Sequence, residues 1–311
     1  MTTLEPEPTA PTSPPPPPLR ILVINPNTSQ HMTDALRPVV DSLALPSAQY
    51  TFFTSPAPGI PSINSPADAA ESAKICLPHL IPLLEHHDCF LVACYSQHPL
   101  VSLLKSECAK LTRKGDHGHT HGGAGAGAGA GARPRKSVTG IFEASVLASL
   151  SLIDPSDAGG EAAPAFGIVS TGKIWETALQ KAVEEFVGVD PTTLQTARSR
   201  FVGCETTGLN ASELHDLDGA KVRTKMMDAT KRLLRRGQSG GGGGSSSSSS
   251  AANVSRVQAI CLGCAGMVGL DDAVRTACVE ELGPERGNEV CIVDGVKAGV
   301  GLLYGLARGG F

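Results

Sequence analysis

"VQAICLGCAGM", residues 257–267, decides how this chain is read. An apolar run stops in a turn of small residues, and Cys264 stands where the run ends. A short apolar run bounded by a turn reads as a buried strand. The pattern has an earlier counterpart: "DCFLVACYS", residues 88–96, is an apolar run that stops near Cys94. Outward from each, strands alternate with helices. In the first half "RILVIN" (20–25) and "YTFFTS" (50–55) read as strands. The helix "NTSQHMTDALRPVVDSL", capped by Thr28 or Ser29, lies between them, and the stretch "ADAAESAKICLPHLIPLLE" (67–85), bent at Pro78 and Pro82, follows. "PLVSLLKSECAKLT" is the helix after Cys94. The second half repeats the order. "AFGIVS" (165–170) and "SRFVGC" (199–204) are strands, each followed by a helix, "KIWETALQKAVEEF" and "SELHDLDGAKVRTKMMDATKRLLRR", the latter with Ser212 as a cap. "LDDAVRTACVEEL", "EVCIVD" (289–294) and "GVKAGVGLLYGLA" add helix, strand and helix.

Strands alternating with helices imply βαβ units and parallel sheets covered on both faces. The expected class is α/β, with two pseudo-symmetric Rossmann-like domains. Ligands of open α/β sheets bind at the carboxyl ends of strands. Two facing halves then bring Cys94 and Cys264 to opposite walls of one cleft.

The bulk numbers exclude several function classes. The 311 residues carry a net charge of −4, with 41% hydrophobic and 18% charged residues, as in a globular protein. A nucleic-acid binder shows a basic excess and stacking aromatics; here the balance is acidic and aromatics are 4%. No apolar stretch approaches the ~20 residues of a membrane span. The nine cysteines are odd in number and no secretory signal is visible, so reduced thiols in the cytoplasm are expected.

Three low-complexity stretches frame the folded parts. Residues 1–18 are a proline-rich tail expected to be disordered. Residues 113–137 hold a Gly/Ala-rich insertion and residues 237–252 a Gly/Ser-rich one, both expected as surface linkers.

A thiol at a strand end, just before a helix, is expected to ionise more readily, because the helix dipole and free N–H groups favour the thiolate. Ser96 would cap the helix after Cys94, and the small residues after Cys264 let backbone amides approach a ligand. Two opposed thiols suit stereoinversion next to a carbonyl. One, as thiolate, removes the α-proton; the other, as thiol, returns a proton on the opposite face. Each such transfer is worth ~10² to 10⁴-fold. The enolate-like intermediate needs hydrogen-bond donors. Asn25 and Asn27 of "NPNTS", Ser170 and Thr171 of "VSTGK", and the amides after each cysteine are the candidates, with Gly263 and Ala265 flanking the second thiol.

The motifs "ILVINPNTS", "VACYSQHPL", "GIVSTGKIWE", "CETTGLNASEL" and "CLGCAGM" occur in an order that resembles the Asp/Glu/hydantoin racemase superfamily, most closely its hydantoin racemase branch in the fungal allantoin racemase-like form. The likeness covers roughly residues 20–110 and 138–311. It implies Cys94 and Cys264 as the acid/base pair, with Asn27, Ser96, Thr171 and Gly266 near the substrate. It implies no cofactor, neither metal nor pyridoxal phosphate. It also implies two domains, the first discontinuous: residues 19–112 plus 272–311 form one and residues 138–271 the other. The family's "C-x-x-D-P-G" is replaced here by "CYSQHPL", which bears on the substrate; His98 either meets the substrate, tunes Cys94, or faces solvent.

Other motifs carry less. Cys261 and Cys264 form a C-x-x-C with no second pair, so a four-cysteine zinc site is poorly supported. "GIVSTGKI" lacks the final hydroxyl of a phosphate-binding loop. Its Lys173 is either a cleft residue or a solvated helix-start lysine. The histidines 117, 119 and 121 sit in the low-complexity insertion. The expected function is racemisation of 5-substituted hydantoins, allantoin first. The alternatives are an aspartate/glutamate-type racemase or diacid decarboxylase or isomerase, and a non-catalytic small-molecule binding protein. The expected partner is a small-molecule substrate, not nucleic acid or membrane, with room for a homo-oligomer.

Overall fold

In the computed structural model the described residues are 17–116, 135–154, 162–188, 200–238 and 255–311. In chain order the first half holds β1 (Leu19–Asn25), α1 (Gln30–Asp41), β2 (Ala48–Thr54), α2 (Pro66–Leu80), a 3₁₀ turn (Ile81–His86), β3 (Cys89–Val92), α3 (Pro99–Asp116), β4 (Ser137–Gly140) and α4 (Ile141–Leu152). The second half holds β5 (Ala163–Ser170), α5 (Ile174–Val187), β6 (Phe201–Thr206), α6 (Glu213–Asp216), α7 (Gly219–Gln238), β7 (Ser255–Gly263), a 3₁₀ turn (Ala265–Met267), α8 (Asp271–Leu282), α9 (Pro284–Glu289), β8 (Cys291–Asp294) and α10 (Gly295–Gly309).

The strands form two four-stranded sheets, ordered β2-β1-β3-β4 and β6-β5-β7-β8, and every pairing is parallel. The two orders are the same when the second is renumbered, so the repeat read from the sequence is a repeat of topology. Alternation along the strands sends side chains to two different cores. Leu22, Ile24, Phe90 and Val92 pack outward with residues of α2 and α3. Val169, Ile260 and Leu262 pack outward with α7 and α8. Ile21, Val23 and Leu91 face inward and share one core with Ile168, Ala259 and Cys261 of the other sheet. Residues of α1, α4, α5 and α10 fill that shared middle layer.

Local chemistry explains the helix ends. Ser29 is the cap of α1, accepting from Met32 N at 3.3 Å, and Ser65 caps α2, accepting from Asp68 N at 3.1 Å. Pro78 is inside α2, and the chain tightens into the 3₁₀ turn that contains Pro82. The single long helix expected from Ser212 onward is two helices. Ser212 makes no side-chain cap; Asp218 instead accepts from Ala220 N and Lys221 N and starts α7.

Two expectations need correction. β4 and α4 were not legible as elements. "SVTG" is too short for a periodic signal, and α4 is apolar almost all round because it lies between the two sheets. β4 pairs with β3, so a boundary at residue 138 cuts through a strand of the first sheet. The C-terminal strand also differs. β8 pairs with β7 in the second sheet, and only α10 returns to the first half, where it packs against β3, β4 and α4. Parallel neighbours joined by a helical crossover tend to stay adjacent, and α8 makes that crossover for β7 and β8.

Candidate active site

The two thiols follow strands that hold equivalent places in the two sheets, β3 for Cys94 and β7 for Cys264. Both line a single cavity of about 30 Å³, together with Asn27, Thr171, Gly263 and Ala265. That is room for one or two waters. Met32, Ile63, Trp175 and Ala211 supply apolar wall, and among the described residues no charged side chain lines it. Two wider surface depressions of about 670 Å³ lie elsewhere, away from both thiols.

Burial pushes the Cys94 thiol up to about 12. The Ser96 hydroxyl, 3.5 Å from its Sγ, pulls the other way, and the charges of Cys264 and Glu143 add to the rise. Burial pushes Cys264 up to about 11, held back by the Gly266 N–H donated to its Sγ at 3.3 Å. The expected helix-driven fall in thiol pKa is therefore reversed. Neither sulfur sits at the start of a long helix. Cys264 is followed by a three-residue 3₁₀ turn, and α3 begins five residues after Cys94. Desolvation then outweighs the few N–H groups in reach.

Asn27 is held in the cavity wall by its own loop. Its Oδ1 accepts from Asn25 Nδ2 at 3.0 Å and Ser29 N at 2.9 Å. Its Nδ2 donates to Met32 Sδ at 3.4 Å, a weak acceptor. Asn25 does not line the cavity; it ties the turn, with Nδ2 also 3.0 Å from Thr33 Oγ1. Ser170 stands behind the second thiol: its Oγ donates to Gly263 O at 2.7 Å and fixes the strand end that carries Cys264. Thr171 lines the cavity while its carbonyl accepts from Gly208 N at 3.0 Å.

Ser96 touches Cys94 and not a helix end. The cap of α3 is His98, whose Nδ1 accepts from Leu100 N at 3.2 Å. That places the imidazole proton on Nε2, which is buried and has no partner among the described residues. Burial pushes His98 down to about 4, so the ring is neutral. His98 is buried, not solvent-facing, and does not line the cavity; Gln97 is exposed, as is Lys173.

Cys261 belongs to the middle layer and not to the cleft. Its Sγ lies 3.0 Å from Ser149 Oγ, and it forms no disulfide with Cys264. Gly167 is inside β5 with Leu233 packed over it, so no phosphate loop exists there. Residues 117, 119 and 121 lie outside the described residues, as do most of the two insertions and the tail. No helix among the described residues is long and apolar enough to cross a membrane. The sequence signal missed Trp175, Met32 and Ile63, apolar residues that look like ordinary core, and Glu143, which stands in the unrecognised helix α4.

The chain is similar to known proteins. The family profile described as Asp/Glu/Hydantoin racemase matches residues 21–110. An uncharacterized protein of Schizosaccharomyces pombe is 30% identical over 290 residues, 93% of this chain and 92% of that protein. The chain belongs to the Asp/Glu/hydantoin racemase family. With the family comes the enzyme class, an isomerase of the racemase type. Two solved structures share the fold. Allantoin racemase from Klebsiella pneumoniae has a TM-score of 0.61 at 22% identity, covering 94% of this chain and 89% of that one. Allantoin racemase from Pseudomonas fluorescens has a TM-score of 0.63 at 19% identity, covering 94% and 92%.

Proposed function

We propose that this family member is a cofactor-independent racemase of 5-substituted hydantoins, with allantoin the favoured substrate. One observation carries the mechanism: Cys94 and Cys264, one from each half, line the same cavity at equivalent strand ends. The thiolate of one takes the C5 proton, and the thiol of the other delivers a proton to the opposite face. The negative charge that develops on the ring carbonyl oxygen needs donors already in place. Asn27 Nδ2 can exchange its weak sulfur partner for that oxygen, and Thr171 lines the same wall.

The cavity also bears on the substrate. An amino acid or a diacid carries carboxylates that call for cationic partners, and among the described residues the lining has no charged side chain. A hydantoin ring is neutral, flat and rich in amide edges. The fold shared with two allantoin racemases agrees with that choice. At about 30 Å³ the cavity is smaller than such a ring, so binding requires the walls that carry Trp175 and Ile63 to move apart.

The test is incubation of one allantoin enantiomer in D₂O, followed by proton NMR at C5 and polarimetry. Wild-type protein should incorporate deuterium as optical rotation is lost, and the double variant Cys94→Ser/Cys264→Ser should do neither. Thermal stabilisation by allantoin without exchange would establish the binding-protein alternative. Exchange of aspartate or glutamate but not allantoin would establish the amino-acid one.

A further inference from the structure

Among the described residues, Glu143 is the one carboxylate that bears on Cys94. It lies in the first turn of α4, and Gly140 at the end of β4 pairs in register with Val92 at the end of β3. The start of α4 therefore stands beside the loop that carries Cys94. The carboxyl group folds back over Gly140, and a Cβ at Gly140 would collide with Glu143 Oε2. Oε2 itself is buried and has no hydrogen-bond partner among the described residues. A buried oxygen without a partner is costly.

We propose that Glu143 is a positioning residue for the reaction: its carboxylate, held where the neighbouring strand meets the loop of Cys94, disfavours the thiolate there and biases the resting pair toward Cys264 as the base. This deepens the reading of Cys94 and Cys264 as the proton-transfer pair and rests on it. The electrostatics are one-sided. Around Cys94 the interacting groups are Ser96 on its own loop, Glu143 of α4 and Cys264 at the end of β7, and the negative charge of Glu143 adds to the rise caused by burial. Cys264 feels burial and the Gly266 N–H, with no contribution from Glu143. Glu143 is itself pushed up by burial and held down by the amides of Glu143 and Gly140 and by Lys105 of α3. A like charge near a thiolate disfavours it. Two sulfurs made equivalent by the repeat thus differ in their partners, and the carboxylate adds to the difference on the Cys94 side.

A consequence follows for kinetics. The two enantiomers have equal free energy, so kcat/KM is the same in both directions. The asymmetry of the resting pair must then appear as matched differences: the enantiomer with the higher kcat has the higher KM, in the same ratio.

The experiment is site-resolved alkylation. Wild type, Glu143→Gln and Glu143→Asp are treated with iodoacetamide across pH 6–10, and modification of Cys94 and Cys264 is quantified separately by peptide mass spectrometry. Glu143→Gln should be alkylated at Cys94 several-fold faster than wild type at pH 8, with Cys264 unchanged. Glu143→Asp, which retains the charge, should stay near wild type. In turnover assays Glu143→Gln should narrow the kcat and KM differences between enantiomers. Unchanged Cys94 alkylation overturns the proposal, and so does a parallel rise at both cysteines, which would mean general loosening. The same preparations go through the D₂O assay. Wild type that fails to exchange C5 sinks the racemase reading, while the alkylation result still tests the influence of Glu143 on Cys94.

Discussion

The two strand ends that carry the thiols are equals in topology and opposites in upkeep. Around Cys94 the chain spends side chains. Ser96 touches the sulfur, Tyr95 OH reaches Ser145 Oγ at 2.7 Å, His98 caps α3, and the charge of Glu143 acts on the thiol from α4. Around Cys264 it uses backbone. Gly266 N donates to the sulfur, Ser170 grips the carbonyl of Gly263, and Ala265 occupies the place that Tyr95 fills in the first half. A duplicated scaffold settles where two groups stand. The loops that decorate it settle what each group does.

The sharpest way to break the comparison is to remove one sulfur at a time. Cys94→Ser and Cys264→Ser should each lower racemisation by ~10² to 10⁴-fold, the usual worth of a placed proton donor or acceptor. Their residual chemistry should be mirror-image. Each variant keeps the base for one face, so each should exchange C5 hydrogen with retention for one enantiomer, and the two should choose opposite enantiomers. Chiral chromatography with deuterium analysis checks this. Retained exchange of the same enantiomer in both would show that the sulfurs do not oppose each other.

His98 is next, a buried imidazole beside the first thiol's loop. Its pKa is lowered from 6.5 to about 4 by burial. A base whose folded pKa is depressed takes up protons more readily when unfolded, so stability rises with pH in this window. The contribution is fully present above pH 6.5 and is lost as pH falls from there to 4. The loss is about 3 kcal/mol in total. Urea unfolding at pH 7 and pH 4.5 should show it, and His98→Asn should flatten that part of the profile. An acid limb unchanged in the variant would mean that other groups carry it.

The third test concerns the residue before each thiol: Ala93 in the first half, Gly263 in the second. A Cβ at Gly263 would stand 2.8 Å from the carbonyl of Val169 and from Ser170 Cβ, so backbone as well as side chain would have to give. Gly263→Ala should cost about 2 kcal/mol, as overpacking does, and should slow turnover by shifting Cys264. Ala93→Gly leaves no such collision and should mostly cost chain entropy, about 1 kcal/mol or less. Thermal melts and single-enantiomer rates compare the pair.

Much of this was legible in the residues, for stated reasons. Strands such as β1 and β7 are continuous apolar runs because both faces of each sheet are covered, and the turn residues after them mark their carboxyl ends. That was enough to place Cys94 and Cys264 and to find Asn27, Thr171, Gly263 and Ala265 beside them. The local signals failed where long-range packing decides. β4 has four residues, and its partner Val92 is 48 positions away from Gly140 in the chain, so only the folded sheet reveals it. Glu143 rode on that missed element. The sulfur pKa values were misjudged because strand ends suggest helix dipoles, whereas burial in the folded molecule dominates.

The smallest effect tests the brace that has no equal around Cys264. Tyr95 is buried, its ring meets Phe142 edge-on at 5.8 Å, and its hydroxyl bonds Ser145 Oγ. Tyr95→Phe keeps the ring and removes only the hydrogen bond, and Ser145 Oγ still donates to Phe142 O at 2.9 Å. The cost should be about 1 kcal/mol, or a few degrees in Tm. Because Tyr95 adjoins Cys94, the brace should also matter to rate, with kcat falling by less than about tenfold while KM holds. A variant that loses stability but no kcat would show that the hydroxyl ties the middle layer together without aligning the sulfur. The care spent on the first strand end would then be structural, and the two halves would be closer equals in chemistry than their loops suggest.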